Sequence, residues 1–324
     1  MDKILVFGGA GYIGSHTCKA LAENGFEPVV YDNLSEGYAR FVRWGDLIEA
    51  DILDAGAVAQ ALERHKPVAI IHFAAFTYVG ESVTDPAKYY RNNVGGSLNI
   101  AEAAHRAGNI PVIFSSSCAT YGVPARVPIP ETAPQVPINP YGRSKLMVEQ
   151  ILQDLAAAYG LPSVALRFFN ACGADKDGEI GEAHRVETHL IPRAIFSGLG
   201  RIDDFCIFGG DYDTPDGSPI RDYIHVTDLA DAHIRACRYL LDGGESAQFN
   251  IGTGNGYSVF ELMRELSCIL GREVPAQVVG RRAGDTPVLV AEATRARTAL
   301  GFLPQHSEIG NILETALRWH RNNP

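Results

Sequence analysis

Ile4-Leu5-Val6-Phe7-Gly8-Gly9-Ala10-Gly11-Tyr12-Ile13-Gly14 sets a short apolar run directly against a glycine loop, and residues 13–24 continue it with helical spacing. A run apolar on both faces suits a strand buried in a parallel sheet. Glycines allow a tight turn and close approach of a ligand to the backbone. The free N–H groups and positive end of the following helix then form a seat for a pyrophosphate. A glycine pattern alone is weak evidence, so the rest of the chain has to agree with it.

Outward from this stretch, apolar runs recur at residues 28–31, 68–73, 111–114 and 164–168. Segments of helical period separate them, at 13–24, 55–65, 87–107 and 141–159. Alternating strand and helix predicts an α/β fold, a doubly wound parallel sheet of Rossmann type with right-handed crossovers. After about Asn170 the pattern loosens into a Gly- and Asp-rich stretch at 173–181 and an irregular loop at 209–219. Helices near 190–199, 227–241, 259–270 and 309–320 and a strand over 221–226 follow. The expected division is a dinucleotide-binding domain over 1–170, with a returning segment near 221–245, and a smaller α/β substrate domain mainly over 171–324.

Asp32 closes the second strand eighteen residues after Gly14. A carboxylate there accepts hydrogen bonds from ribose hydroxyls and repels a 2′-phosphate, and Asn33-Leu34-Ser35 supplies no arginine to offset that repulsion. The pattern therefore selects NAD. Asp51-Ile52, at the end of the third strand, stands at the adenine position.

Asn139-Pro140-Tyr141-Gly142-Arg143-Ser144-Lys145 opens a helix whose period is fixed by Val148, Ile151, Leu152, Leu155 and Tyr159. Tyr141 and Lys145 share a face one turn apart. An ammonium beside a phenol favours the phenolate and would lower Tyr141 from its ordinary value of about 10 into the range of a usable base. Ser115-Ser116-Ser117 ends the fifth strand, at the sheet edge where ligands bind in this architecture. A Ser117 hydroxyl there can relay a proton or orient a carbonyl.

Composition limits the alternatives. With 38 acidic against 28 basic residues the net charge is −10, which disfavours a nucleic-acid surface. Met1-Asp2-Lys3 runs straight into the first strand without a signal-peptide pattern, and no apolar run approaches the ~20 residues of a membrane span. The six cysteines are scattered with no C-x-x-C pair, and the ten histidines show neither H-E-x-x-H nor H-x-H. Reduced thiols, no metal and a cytoplasmic location are expected.

Taken together, Gly8 to His16, His72-Phe73-Ala74-Ala75 with Val79-Gly80-Glu81-Ser82, Phe114 to Ser117, Pro140 to Gln150, Leu166 to Asn170, Arg221 to Val226 and Arg281 to Pro287 resemble the extended short-chain dehydrogenase/reductase family. The likeness runs nearly end to end and is strongest to its nucleotide-sugar epimerases. It implies reversible inversion at C4 of UDP-glucose and UDP-galactose through a transient 4-keto sugar with tightly bound NAD. Tyr141, Lys145 and Ser117 would be catalytic. Gly8, Gly11, Tyr12, Ile13, Gly14, Asp32, Asn33, Asp51, Ile52, Phe73, Ala74, Ala75, Asn93 and Phe169 would contact the cofactor, together with Tyr141 and Lys145. Ser117, Asn170, His189, Leu190, Cys206, Phe208, Arg221, Arg282, Asp285 and Leu289 would contact the UDP-sugar. Two arginines near a diphosphate make chemical sense, since the guanidinium fork binds phosphate oxygens bidentately.

By the same likeness the protein would form a homodimer through the helices at 87–107 and 141–159. A sister 4,6-dehydratase activity is disfavoured because Cys118-Ala119 stands where that reaction needs an Asp-Glu pair. A C4 epimerase of another UDP-sugar (the N-acetylglucosamine, xylose or glucuronate derivative) and a non-catalytic NAD-binding module are the alternatives. Thr77, His189 and Leu289 depart from the lysine, asparagine and tyrosine frequent at these positions. They bear on cofactor retention and on room at the sugar.

Overall fold

The computed structural model describes residues 1–281 and 285–323. In chain order the strands are β1 Asp2–Phe7, β2 Phe26–Asp32, β3 Asp46–Glu49, β4 Ala69–His72, β5 Val112–Ser115, β6 Ser163–Phe168, β7 Asn170–Cys172, β8 Cys206–Phe208, β9 Ile220–Arg221, β10 Tyr223–His225, β11 Ala247–Ile251, β12 Tyr257–Ser258, β13 Gln277–Val279 and β14 Val288–Leu289. The helices are α1 Tyr12–Glu23, α2 Ala55–His65, α3 Val79–Thr84, α4 Pro86–Tyr89, α5 Ser97–Arg106, α6 Pro140–Tyr159, α7 Leu190–Gly198, α8 Val226–Leu241, α9 Val259–Leu270, α10 Thr294–Leu300 and α11 Ile309–Asn322. Among the described residues no helix is long and apolar enough to cross a membrane.

Seven strands form one parallel sheet in the order β11-β6-β5-β4-β1-β2-β3. The order reverses between β1 and β4, which opens a crevice at their carboxyl ends. Ile4, Leu5, Val6 and Phe7 of β1 are all fully buried because helices cover both faces. Even side chains of β1 pack with α1 and α8 through Cys18, Leu21, Leu229 and Cys237. Leu5 and Phe7 pack with α2, α5 and α6 through Leu62, Ile100 and Val148. Each such aliphatic side chain contributes roughly 1.5–3 kcal/mol by leaving water. A third core, built from α7, α9 and α11 through Ile195, Leu262, Leu266 and Leu313, underlies the smaller sheets.

Three expectations need correction. The helix expected over 87–107 is interrupted: α4 passes through a π-helical segment, Tyr90–Gly96, before α5. There the Asn93 side chain accepts from Phe76 N–H at 2.9 Å and donates to the Phe76 carbonyl at 3.0 Å, so a buried amide clamps the loop after β4. The strand expected over 221–226 is split, because Arg221 pairs in β9 while Tyr223 begins β10 and Val226 already opens α8. The main sheet also gains β11, whose alternating Gln248 and Asn250 disguise it as a polar segment.

Candidate active site

Gly8, Asp32, Asp51, Phe73, Ser117 and Phe169 stand at or just beyond the carboxyl ends of β1, β2, β3, β4, β5 and β6, so the parallel sheet brings them to one edge. At the β1–α1 turn Gly8 holds φ +81°, and a Cβ there would lie 2.6 Å from the Ala74 nitrogen. Gly14 is required for a similar reason, since its Cβ would sit on the Gly8 carbonyl oxygen. Gly11 differs: a Cβ would meet only the Gly8 carbonyl, at an ordinary 3.4 Å.

Protein packing therefore does not demand glycine at position 11, whereas a pyrophosphate resting on the backbone would. Gly11 caps α1 without a side-chain hydrogen bond, leaving the first-turn N–H groups to an anion. Gly11→Ala should leave thermal stability near wild type yet weaken NAD by an overpacking term of about 1–3 kcal/mol, roughly fivefold or more in Kd. Calorimetric titration with NAD, beside a melting curve, checks both halves. Unchanged affinity would remove Gly11 from the phosphate seat.

Asp32 is pinned from two sides, accepting Ala10 N–H at 3.0 Å and Leu34 N–H at 2.9 Å. Burial raises its pKa while these backbone donors oppose the rise. Each oxygen keeps a lone pair for a ribose hydroxyl. Next to it the Asn33 amide donates to Asp51 at 2.9 Å, and an open recess of about 310 Å³ passes Asn33, Asp51, Leu53, Phe76 and Asn92. Ile52 is buried in the core beneath. Phe73 packs on His233, with ring centroids 4.7 Å apart. Ala74 N–H donates to Phe7 and Ala75 follows it, half-buried. Tyr12 is turned away to donate to the Gly173 carbonyl at 2.6 Å, and Ile13 packs inward against the α1 face of the sheet.

The reacting end is assembled by α6. Asn139 caps it by accepting Gly142 N–H at 2.8 Å. Gly142 lets the helix approach the short turn at Cys118–Thr120, where a Cβ would come 2.5 Å from the Ala119 carbonyl. That close approach sets the Tyr141 phenol beside the Ser117 hydroxyl, which lowers its proton affinity. Lys145 is buried under them and donates to the Ser115 carbonyl at 2.8 Å.

The electrostatics differ from expectation here. Burial pushes the Tyr141 phenol up to about 12, against a lowering by Ser117. Burial also brings the Lys145 ammonium down to about 7. The ammonium lies 5.9 Å from the centre of the Tyr141 ring and is bound to a carbonyl instead, so in the protein alone it does not depress the phenol.

Beneath this group lies a buried ion pair that sequence reading missed. Arg167 Nη2 donates to Glu149 at 2.7 Å, Nε donates to both carboxylate oxygens at 3.1 Å, and Ser116 also bonds to Glu149. Arg167 Nη1 reaches the Tyr121 hydroxyl at 2.9 Å, which donates to Asn250 at 2.7 Å. The available signal was a carboxylate at position 149 between Val148 and Leu152 on the apolar face of α6.

On the opposite wall Arg221 and Asp285 approach to 3.8 Å. Leu289 lies in register with Arg221 and packs against the small core that holds Tyr121 and Phe169. Asn170 donates to the Asp222 carbonyl at 3.1 Å, which joins β7 to the β9–β10 corner. Cys206 and Phe208 share one face of β8, and His189 and Leu190 stand at the head of α7. The His189 ring is turned into a cluster with Glu182, His184 and Glu187. Arg282 lies outside the described residues.

Residues 4–252 match the family described as NAD dependent epimerase/dehydratase. The chain belongs to that family. The NAD-dependent epimerase/dehydratase also shares 54% identity with UDP-glucose 4-epimerase of Rhizobium meliloti (strain 1021), over 98% of this chain and 97% of that protein. Its identity to the UDP-glucose 4-epimerase of Rhizobium leguminosarum bv. trifolii is 53%, over 98% and 97% of the two chains. Among solved structures it superimposes with TM-score 0.96 on UDP-glucose 4-epimerase from Brucella ovis in complex with NAD, at 54% identity over 98% of both chains.

Proposed function

We propose that this epimerase/dehydratase inverts C4 of UDP-glucose and UDP-galactose reversibly, with NAD held at the β1–α1 turn. The observation that carries the reading is the buried Tyr141 phenol beside the Ser117 hydroxyl, with Lys145 bound to the Ser115 carbonyl below them at the carboxyl end of β5. Half-identity along nearly the whole chain to two UDP-glucose 4-epimerases supports it.

When bound, the cofactor supplies a hydride acceptor and donor for C4 and a positive charge beside Tyr141. Tyr141 accepts the proton of the sugar 4-hydroxyl, directly or through Ser117, and returns it to the C4 oxygen once the 4-keto sugar has turned about its bond to the diphosphate and offers the other face of C4 to the hydride. Lys145 holds the nicotinamide ribose. Asp32 takes the adenosine ribose hydroxyls, with Asn33, Asp51 and Ile52 around the adenine. Arg221, with Arg282, clamps the diphosphate, and Asp285 takes the uridine ribose. Asn170, Leu190, Cys206 and Phe208 complete the UDP cradle. Functionally, residues 1–170 with the segment near 221–245 carry the cofactor, and the remainder mainly carries the UDP-sugar. Two copies pair through α5 and α6, where Leu98 and Met147 are left exposed.

The test is incubation of the purified protein with UDP-galactose, UDP-N-acetylglucosamine, UDP-xylose and UDP-glucuronate, with products resolved chromatographically. Appearance of UDP-glucose from UDP-galactose is expected, and its absence overturns the reading. Leu289 bears on the second substrate, because a tyrosine there would fill space that leucine leaves at C2 of the sugar. Turnover of UDP-N-acetylglucosamine should fall by about tenfold in Leu289→Tyr, a loss of ~1.4 kcal/mol. Equal turnover would show that this position does not size the pocket.

A further inference from the structure

The segment between β7 and α7 brings Glu182, His184, Glu187 and His189 together outside the proton-transfer group. Their ligand atoms all lie within 4.8 Å of one another. His184 Nδ1 is 3.4 Å from Glu182 and 3.1 Å from Glu187, and His189 Nδ1 is 3.1 Å from Glu182 and 2.9 Å from Glu187. Donors at the ~2.0–2.2 Å bond lengths of zinc stand roughly 3.3–3.6 Å apart at the corners of a tetrahedron. The imidazole nitrogens thus reach Glu182 Oε1 and both oxygens of Glu187 at distances a little shorter than the edges of such a tetrahedron, so two nitrogens and two carboxylates converge on one point before any ion is considered.

We infer that Glu182, His184, Glu187 and His189 form a binding site for a divalent transition metal, zinc by preference, that ties this segment to the head of α7. Two imidazoles with two carboxylates suit zinc better than magnesium or calcium, which favour oxygen ligands in larger number.

Three observations favour a metal over a plain ion-pair cluster. First, the arrangement is held from outside. Trp319 Nε1 donates to the Glu182 carbonyl at 2.8 Å, and Arg185 is fixed to the Ser35 and Leu34 carbonyls at 2.8 and 3.2 Å. Second, three of the four side chains are largely shielded, with exposures of 6% for Glu182, 17% for His184 and 11% for Glu187. His189, at 46%, leaves an entry path.

Third, the cluster holds no permanent cation. No lysine or arginine pairs with Glu182 or Glu187 among the described residues. The neighbouring acidic group shows what a satisfied cluster looks like, since Asp175, Asp177 and Glu179 surround the Lys19 ammonium at 2.8, 3.2 and 2.8 Å. Two carboxylates sharing two imidazoles need either two added protons or one divalent ion. The ion meets the charge without protonating either ring. Such a site lay beyond a search for H-x-H or H-E-x-x-H, because its E-x-H-x-x-E-x-H spacing bends through a loop.

The experiment measures metal on the intact protein, purified without chelators, equilibrated with zinc sulfate and freed of excess by gel filtration. Atomic emission should find about one zinc per chain, and cobalt(II) replacing it should give the strong visible bands of a tetrahedral site. Glu187→Gln and His184→Ala should each lose the metal, whereas Asp177→Asn in the lysine-filled cluster should keep it. A wild type that stays metal-free after equilibration overturns the inference, as does metal retained equally by both variants. Because the wild-type content decides the question, a variant that folds poorly leaves it decidable.

Discussion

Tyr141→Phe is expected to slow interconversion of UDP-galactose and UDP-glucose by roughly 10²–10⁴-fold, the range of a general acid–base group. The substitution removes one oxygen. The ring stays buried at the start of α6, and Ser117 still accepts Ala119 N–H at 3.2 Å, so the turn that orients it persists. What is lost is the proton acceptor for the sugar hydroxyl. NAD content and melting temperature should stay close to wild type, because the phosphate seat and Asp32 are untouched. The check pairs kcat from a coupled assay with NAD released on denaturation. A variant within a few-fold of wild-type kcat would mean that proton transfer does not pass through this phenol.

Arg167→Met should be the most destabilising single change short of a backbone clash, at about 3–5 kcal/mol in urea unfolding. Glu149 is fully buried and Arg167 nearly so. Taking away the guanidinium strands a carboxylate whose remaining donors, Ser116 and Gln135, are neutral. The double change Glu149→Leu with Arg167→Met should recover most of the loss, since replacing both members of a buried pair by apolar groups is often near neutral. A single variant costing under about 1 kcal/mol would show that water or a shifted proton compensates. Activity in the double variant should remain below wild type, because Ser116 sits between Ser115, whose carbonyl receives Lys145, and Ser117, whose hydroxyl stands beside the Tyr141 phenol.

Legibility in the sequence followed the range of the interaction. The glycine loop, Asp32 and the Tyr141/Lys145 pair are short-range patterns whose geometry is set by a turn, a strand end or one helical turn. They could be placed at the sheet edge before any coordinates. β11 escaped because Gln248 and Asn250 break the apolar run of a buried strand, and the π-helical segment because nothing in Tyr90 to Gly96 distinguishes it from an α-helix with poor propensity. The Tyr141 proton affinity was misjudged for another reason. Spacing puts an ammonium near a phenol, but a carbonyl at the end of β5 competes for it, and burial acts on both groups. Glu149–Arg167 and the His184/His189 cluster needed three-dimensional assembly, the first across α6 and β6, the second around a loop.

The return of the chain to its first sheet also constrains how the protein is made. β6 finds its outer partner only in β11, through Val164 with Ala247 to Phe168 with Ile251. The apolar face of α1 is covered by α8. A ribosome that has released residues up to about Asn170 has therefore delivered six strands with one hydrophobic edge bare and one flank of the sheet open, a template for pairing with other nascent chains. Closure waits until Ile251 has emerged. Synthesis at ~5–20 residues per second would leave that edge uncovered for several seconds. Chaperone demand during production should fall on this interval, and a chain arrested before β11 should aggregate where one arrested after it does not.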